Sequence, residues 1–126
     1  MSDEQIRKKI VVADDDTDTL ELLKDYLESE NFDVFTVFNG IQLFDILKIH
    51  KTDIILLDIM MNWISSYDLC RTLKQSKEFK HIPIIFISAK TNETNIELGF
   101  NSYTNNYVKK PFELKKLIEK INRFIK

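Results

Sequence analysis

The hydrophobic positions of this chain alternate between two spacings along its length. Short apolar runs rich in β-branched residues predict strands that are buried on both faces. There are five such runs, at residues 9–13, 33–38, 53–58, 82–88 and 106–109. Longer stretches with apolar residues three and four positions apart predict helices with one buried face. These stretches cover residues 18–30, 41–49, 68–75, 92–100 and 111 to the end of the chain.

Five alternations of strand and helix predict an α/β fold with a parallel sheet covered on both faces. The first helix has a clear start, because Asp16 or Thr17 can cap it. Asn39 and Gly40 supply a turn before the second helix. The last helix carries its apolar residues on one face, at Leu114, Leu117, Ile118, Ile121 and Phe124.

Composition narrows the class of protein. A chain of 126 residues, 44% of them hydrophobic, can close one core, so residues 1–126 are predicted to form a single domain. The formal net charge of −2 argues against a domain built to bind nucleic acid. The single cysteine, Cys70, excludes an internal disulfide, and no apolar run approaches the roughly 18 residues that cross a bilayer. We therefore expect a cytoplasmic protein.

Polar side chains follow the predicted strands at their carboxyl ends, where sheets of this kind bind ligands. The residues at these ends are Asp14, Asp15, Asp16, Asp58, Ser88, Lys109 and Lys110. Carboxylates gathered there need a cation, because two unit charges 4 Å apart repel by about 4 kcal/mol at an effective dielectric constant of 20. Oxygen ligands of this kind suit Mg²⁺ or Mn²⁺.

The same set of groups suits phosphoryl transfer. An aspartate beside a hard cation, a hydroxyl and an ammonium can attack a phosphorus atom in line with the leaving group. The cation and the ammonium then neutralise the remaining phosphoryl oxygens. The strand ends therefore predict an aspartate that accepts a phosphoryl group.

At these residues the sequence resembles a known family, the receiver domains of two-component response regulators, which include the chemotaxis receivers. Four segments match the family's motifs in order and spacing, and together they extend from about Ile6 to the end of the chain. The segments are Ile10-Val-Val-Ala-Asp-Asp-Asp16, Asp53-Ile-Ile-Leu-Leu-Asp-Ile-Met-Met61, Pro83-Ile-Ile-Phe-Ile-Ser-Ala-Lys90 and Tyr107-Val-Lys-Lys-Pro-Phe112. The resemblance implies a flavodoxin-like, doubly wound sheet of five parallel strands in the order 2-1-3-4-5, with five helices.

The resemblance also implies roles for the acidic residues. Asp58 is the implied phosphoacceptor. Asp15 is the implied direct metal ligand, and Asp14 holds the ion largely through water. The backbone carbonyl of Met60 completes the protein ligands, so the implied cofactor is Mg²⁺, or Mn²⁺ in its place.

Three further residues are implied to bind the phosphoryl group or to report its presence. Ser88 supplies a hydroxyl. Lys110, directly before Pro111, supplies an ammonium, although spacing alone does not distinguish it from Lys109. Tyr107 matches the aromatic residue whose rotamer reports phosphorylation to the surface formed by the fourth helix, the fifth strand and the fifth helix.

The implied function is a phosphorylation-controlled signalling switch that is not itself an enzyme. Its phosphodonor is a histidine kinase or a histidine phosphotransfer protein, and its own chemistry is limited to accepting and later hydrolysing the phosphoryl group. The resemblance further implies a role in transcription regulation and a homodimer through the helix 4–strand 5–helix 5 surface. It implies no membrane contact, and no direct contact of this domain with nucleic acid.

Two loops depart from the family's pattern because they lack the expected glycine and proline. Residues 62–66 read Asn-Trp-Ile-Ser-Ser, and residues 103–106 read Tyr-Thr-Asn-Asn. The whole chain has only two glycines and two prolines. We therefore expect its choice of partner and its switching geometry to differ from those of typical members.

Two other functions stay open on the sequence alone. The pattern Asp16-x-Asp18 after a strand weakly matches the nucleophile motif of haloacid-dehalogenase-like phosphatases, which would make the protein an enzyme. A pseudo-receiver that binds partners without being phosphorylated is the other alternative, and the altered loops keep it open. The sequence also leaves open whether it is a whole protein or the receiver part of a longer regulator.

Overall fold

The computed structural model describes residues 7–58, 66–88, 106–109 and 113–125. Five parallel strands form one sheet in the order β2-β1-β3-β4-β5. The strands are β1 (Lys9–Ala13), β2 (Asp33–Val37), β3 (Ile54–Asp58), β4 (Ile84–Ser88) and β5 (Asn106–Lys109). This order confirms the predicted doubly wound, flavodoxin-like fold.

Helices cover both faces of the sheet. The described helices are α1 (Thr17–Ser29), α2 (Gly40–Ile49), α3 (Ser66–Gln75) and α4 (Leu114–Phe124). Buried residues of α1 and α4 share one hydrophobic cluster with the sheet, and those of α2 and α3 share the other. The helix predicted over residues 92–100 lies outside the described residues.

The central strands contribute side chains to both clusters. In β1, Ile10 and Val12 pack on the side of α1 and α4, whereas Val11 and Ala13 pack on the opposite side. All five residues of β3 are buried. Because both rows of side chains are covered, these strands are continuously apolar, and polar residues fall at their ends.

Some element boundaries differ from the predicted ones. The strand predicted from residue 82 begins at Ile84, because Pro83 has no N–H to donate to the sheet. The carbonyl of Pro83 still accepts a hydrogen bond from the N–H of Ile55, at 3.0 Å. The helix predicted from Pro111 begins at Leu114, where Glu113 occupies the extended N-cap position.

Asparagine replaces glycine where α1 ends. Asn31 is the one non-glycine residue with a positive φ in the described part of the chain, at 71°. The N–H of Asn31 donates to the carbonyl of Glu28, and the N–H of Phe32 donates to that of Leu27. These two bonds form a Schellman motif, whose left-handed residue is usually glycine and sometimes asparagine. The low glycine content is therefore compatible with an ordinary helix end.

Cys70 lies on the buried face of α3. Burial raises the pKa of its thiol to about 11, and the nearby ammonium of Lys74 opposes this rise. We expect an alkylating reagent at pH 8 to leave Cys70 unmodified in the folded protein and to modify it after unfolding, as measured by mass spectrometry. Rapid labelling of the folded protein would contradict this expectation.

The same pKa shift predicts a dependence of stability on pH. The pKa of the Cys70 thiol in the folded protein lies above its ordinary value of 9.0, so the folded state holds the thiol proton more tightly than the unfolded state. This contribution to stability is complete below pH 9 and is lost as the pH rises to about 11. We expect Cys70→Ala to flatten the stability–pH profile over this interval.

Candidate functional site

The register of the two central strands brings two acidic residues side by side. β1 pairs with β3 so that Ala13 lies opposite Leu57, and the next residues along the two strands are Asp14 and Asp58. Asp14 is fully buried, Asp58 is 4% exposed, and the neighbouring Asp15 is half-buried. Three carboxylates therefore lie at the carboxyl ends of the central strands of an otherwise apolar sheet.

These three carboxylates form a tight group. Asp14, Asp15 and Asp58 each contribute one carboxylate oxygen, and the three oxygens lie within 4.8 Å of one another. At that separation, two unit charges repel by about 3.5 kcal/mol at an effective dielectric constant of 20. Because burial removes the water that would screen them, the group favours a bound cation.

Backbone hydrogen bonds fix the first of these acids. The N–H of Asp14 donates to the carbonyl of Val37 at 3.1 Å, which ties the end of β1 to the end of β2. The N–H of Asp16 donates to Oδ1 of Asp14 at 2.9 Å. The Asp14 carboxylate is thus held in one orientation by the chain that follows it.

Asp16, the third acid of the run, forms hydrogen bonds with the first turn of α1. The carboxylate of Asp16 accepts hydrogen bonds from the N–H of Asp18 at 3.1 Å and from the hydroxyl of Thr19 at 2.8 Å. Asp16 is therefore the N-cap of α1, which resolves the choice between Asp16 and Thr17. Its side chain stabilises the first helical turn and is not part of the three-carboxylate group.

The donor set decides which ion fits. Three carboxylate oxygens are hard ligands, and this group contains no histidine or cysteine. Mg²⁺ takes octahedral oxygen coordination and usually keeps several waters, so three protein oxygens leave positions open for water or a phosphoryl oxygen. The residues present therefore fit Mg²⁺ or Mn²⁺.

The remaining predicted site residues lie partly outside the described residues. Ser88 is the last residue of β4, and Asp58 pairs with Ile87 just before it. The backbone of Tyr107 lies in β5, and Ser88 pairs with Lys109. Met60 and Lys110 are outside the described residues, so their predicted roles stay predictions. The described backbone thus brings Ser88 to the same end of the sheet as Asp58.

The sequence does not identify two groups that position the Asp14 residue. The carbonyl of Val37 and the N–H of Asp16 both position Asp14, yet both are backbone groups. A backbone contact leaves no mark on residue type, so no pattern in the sequence could have identified it. Only the sheet order, which places β2 beside β1, gives a signal for the first of them.

The hydrogen bonds around Asp16 also bear on the phosphatase alternative. That alternative requires a carboxylate available for attack within the Asp16-x-Asp18 pattern. Both carboxylate oxygens of Asp16 accept hydrogen bonds within the first turn of α1, and Asp18 is exposed on that helix. The buried acid group instead contains Asp58. The geometry therefore favours Asp58 as the reactive aspartate.

Comparison with known protein families gives an independent result. The family model of the response regulator receiver domain matches residues 10–122. The chain is 39% identical over 118 residues to the nisin biosynthesis regulatory protein NisR of Lactococcus lactis, covering 94% of this chain and 50% of NisR. It is 32% identical over 116 residues to the DNA-binding response regulator MtrA of Mycobacterium tuberculosis, covering 92% of this chain and 50% of MtrA. The chain thus spans about half the length of these curated relatives.

Solved structures show the same fold. A Francisella response regulator receiver domain superposes with a TM-score of 0.84 at 28% identity, covering 94% of this chain and 97% of that one. The receiver domain of a Pseudomonas aeruginosa sensor histidine kinase superposes with a TM-score of 0.85 at 24% identity, covering 94% and 98%. That structure contains a magnesium ion coordinated in its active-site cleft. Among the described residues of the present chain, no helix is long and apolar enough to cross a membrane.

Proposed function

Because this chain belongs to the family of response regulator receiver domains, which are phosphorylation-controlled signalling switches, we propose that Asp58 is the residue that accepts the phosphoryl group. The observation that carries this proposal is the convergence of Asp14, Asp15 and Asp58 at the carboxyl end of β1 and β3. A receiver domain is generally not a catalytic enzyme, and the proposed chemistry is one phosphoryl transfer to Asp58 followed by hydrolysis of the acyl phosphate.

The proposed donor is a phosphohistidine of a histidine kinase or of a histidine phosphotransfer protein. A carboxylate oxygen of Asp58 attacks the phosphorus atom, the new O–P bond forms, and the P–N bond to the imidazole breaks. The electron pair of that bond leaves with the imidazole nitrogen. Hydrolysis later returns Asp58 to the carboxylate and releases inorganic phosphate.

Asp14 and Asp15 are proposed to hold the cation that this transfer needs. A bound Mg²⁺ would neutralise charge on the phosphoryl oxygens. Asp15, half-buried at the rim, is the proposed direct ligand, and the fully buried Asp14 acts largely through water. The backbone carbonyl of Met60 completes the proposed set. The magnesium ion in the active-site cleft of the Pseudomonas structure supports the choice of ion.

Three residues are proposed to respond to the phosphoryl group. Ser88, at the end of β4, would donate its hydroxyl to a phosphoryl oxygen, and Lys110 would pair with another oxygen. Tyr107 would report the change to the surface that the sequence predicts for the helix over residues 92–100 together with β5 and α4. We propose that this surface mediates a phosphorylation-dependent homodimer. The domain is further proposed to work in the cytoplasm in the regulation of transcription. In this proposal the domain itself contacts neither nucleic acid nor membrane. The similarity to MtrA, a DNA-binding response regulator, supports the link to transcription.

Mapping the modified residue tests the proposal. The chain is incubated with acetyl phosphate and Mg²⁺, and the acyl phosphate is trapped by borohydride reduction before proteolysis and mass spectrometry. We expect modification at Asp58 alone. Modification at Asp14, Asp16 or Asp18 instead of Asp58 would contradict the proposal and support the phosphatase alternative. The absence of any modification, with no response to beryllofluoride, would support the pseudo-receiver alternative.

Substitution can distinguish Lys109, the last residue of β5, from Lys110, which follows it. We expect Lys110→Ala to abolish most of the structural response to beryllofluoride, because the phosphoryl mimic loses its ammonium partner. Magnesium affinity should change by less than about threefold, since the three acids remain. Lys109→Ala is the matched control and should keep the response, which nuclear magnetic resonance shifts can follow. Loss of the response in Lys109→Ala alone would reverse the assignment.

A further inference from the structure

The peptide group that joins Val37 to Phe38 connects the three-carboxylate group to helix α2. Its carbonyl, which belongs to Val37, accepts the hydrogen bond from the N–H of Asp14 at 3.1 Å. Its N–H, which belongs to Phe38, donates to Oε1 of Gln42 at 2.9 Å. One planar group therefore lies between the side chain of Gln42 and the backbone of Asp14.

The place of this peptide at the edge of the sheet gives the side chain its task. β2 is an edge strand of the described sheet, and β1 is its neighbour. The C=O and N–H of a trans peptide point in opposite directions, so a peptide whose carbonyl points at β1 directs its N–H away from the sheet. On an edge strand, such an N–H has no strand to accept its hydrogen bond. The amide oxygen of Gln42 supplies the acceptor instead.

The start of α2 holds Gln42 in turn. The N–H of Gln42 donates to Oδ1 of Asn39, the N-cap residue, at 2.8 Å. Val37 and Leu43, which lie on either side of this turn, are buried in the same hydrophobic cluster as Ala13. The side chain of Gln42 therefore extends from a fixed backbone to a fixed peptide.

This arrangement differs from an ordinary capping box. In that motif the side chain of the third helical residue accepts a hydrogen bond from the N–H of the N-cap residue, which stabilises the helix alone. Gln42 is the third residue of α2, but its side chain accepts from the N–H of Phe38, one residue before the N-cap. The bond thus acts on the peptide whose carbonyl binds Asp14.

We propose that Gln42 is a positioning residue for the cation site, which holds the backbone of Asp14 in place through the Val37–Phe38 peptide and thereby raises the affinity for Mg²⁺. This role rests on the proposed function, in which Asp14 helps to hold the cation. Successive hydrogen bonds polarise one another and gain about 10–30% in strength each, so the bond to Gln42 makes the Val37 carbonyl a better acceptor.

The benefit to the ion comes from preorganisation. Asp14, Asp15 and Asp58 repel one another until a cation binds, and each displacement that this repulsion causes must be reversed on binding. The N–H of Asp16 holds the carboxylate of Asp14, and the Val37–Phe38 peptide holds its backbone. A firm peptide therefore lowers the cost of assembling the site.

Gln42→Met tests this role, because methionine has a similar length, favours helices equally and has no oxygen to accept a hydrogen bond. In the metal-free protein, nuclear magnetic resonance measures the exchange of the Asp14 N–H with deuterium. We expect its rate to rise at least about threefold relative to that of the Ile55 N–H, which bonds to Pro83 and reports the opening of the central sheet. The Mg²⁺ affinity, measured by calorimetry, should fall about threefold to tenfold.

Gln42→Glu should rescue both properties, because a carboxylate oxygen of the same reach accepts the bond from Phe38. Since glutamate also adds a negative charge, Ile41→Glu combined with Gln42→Met is the matched control. Ile41 is 76% exposed, so the double variant carries the charge one residue earlier without an acceptor at position 42. Its Mg²⁺ affinity should stay within about twofold of that of Gln42→Met. Recovery in the double variant would show that charge alone accounts for the rescue, and would overturn the proposal.

Asn39→Ala separates the bond to Phe38 from the stability of α2. It removes the acceptor of the Gln42 N–H, so exchange in the first turn of α2 should accelerate, while the Mg²⁺ affinity should stay within about twofold of the wild type. Equal losses of affinity in Asn39→Ala and Gln42→Met, or unchanged exchange of the Asp14 N–H in Gln42→Met, would overturn the proposal. A wild-type chain that binds no Mg²⁺ would instead refute the proposed cation site, and the exchange of the Asp14 N–H would still decide whether Gln42 holds Asp14.

Discussion

Asp58→Asn is expected to abolish phosphorylation by acetyl phosphate, with a loss of at least about a thousandfold in rate. An amide oxygen is a far weaker nucleophile than a carboxylate, and the substitution removes one of the three charges that favour the cation. The side chain keeps its size, so the buried strand end should stay packed. Intact-protein mass spectrometry over a time course with Mg²⁺ measures the loss.

Asp16→Asn and Asp18→Asn are the controls for this variant. Both residues belong to the alternative phosphatase pattern, and neither contributes an oxygen to the three-carboxylate group. Asparagine caps a helix about as well as aspartate, so Asp16→Asn should leave α1 in place. We expect each control to be phosphorylated within about threefold of the wild-type rate. Residual phosphorylation in Asp58→Asn that disappears in Asp16→Asn would contradict the assignment of Asp58.

In the absence of metal, Asp58→Asn should also be more stable than the wild-type protein. In the wild-type protein, two carboxylates repel Asp58 at separations below 4.8 Å, and the asparagine relieves both repulsions. We expect the free energy of unfolding in EDTA to rise by about 1–3 kcal/mol. Saturating Mg²⁺ should stabilise the wild type more than the variant and so reduce the difference. A destabilised variant in EDTA would show that Asp58 contributes more to packing than to charge repulsion.

The sequence predicted the sheet and the acidic residues at its carboxyl end because both depend on residue type. Residues 10–13 and 54–57 are apolar at every position, as is typical of strands buried on both faces of a sheet. Asp14 and Asp58 interrupt these runs at the same end, and parallel pairing then places them side by side. Fold and acid cluster therefore follow from one physical cause, the cost of burying charge in mid-sheet.

Other features depend on contacts that the hydrophobic pattern does not encode. Asp14, Asp15 and Asp16 are identical residues in one run, yet only the structure shows that the third caps α1 while the first two join the acid group. In α2, helical spacing predicts a helix, but six apolar residues leave its buried face undetermined. The packing of Leu43 and Leu47 against the sheet decides it, and Ile41 and Ile49 consequently point outward.

Because Asp15 belongs to the three-carboxylate group and Asp16 caps α1, we expect the two residues to differ strongly in their effect on Mg²⁺ binding. Asp15→Asn should weaken Mg²⁺ binding about a hundredfold, because it removes a charged ligand from the group of three. Asp16→Asn removes the same charge one residue later but from a carboxylate turned into the helix cap, so we expect a change below about fivefold. Isothermal titration calorimetry with Mg²⁺ measures both.

Thermal unfolding provides a second readout, because a ligand that binds only the folded state stabilises it by RT ln(1 + [L]/Kd), where [L] is the free ligand concentration. At a Mg²⁺ concentration one hundred times the wild-type dissociation constant, the wild type should gain about 2.7 kcal/mol and Asp16→Asn at least about 1.8 kcal/mol. Asp15→Asn should gain less than about 0.5 kcal/mol. Asp16→Ala separates the cap from the charge. It loses the hydrogen bonds to Asp18 and Thr19, and should therefore lower the free energy of unfolding by about 1 kcal/mol with or without Mg²⁺. Equal losses of Mg²⁺ affinity in Asp15→Asn and Asp16→Asn would mean that total charge, and not the geometry of the three-carboxylate group, holds the ion.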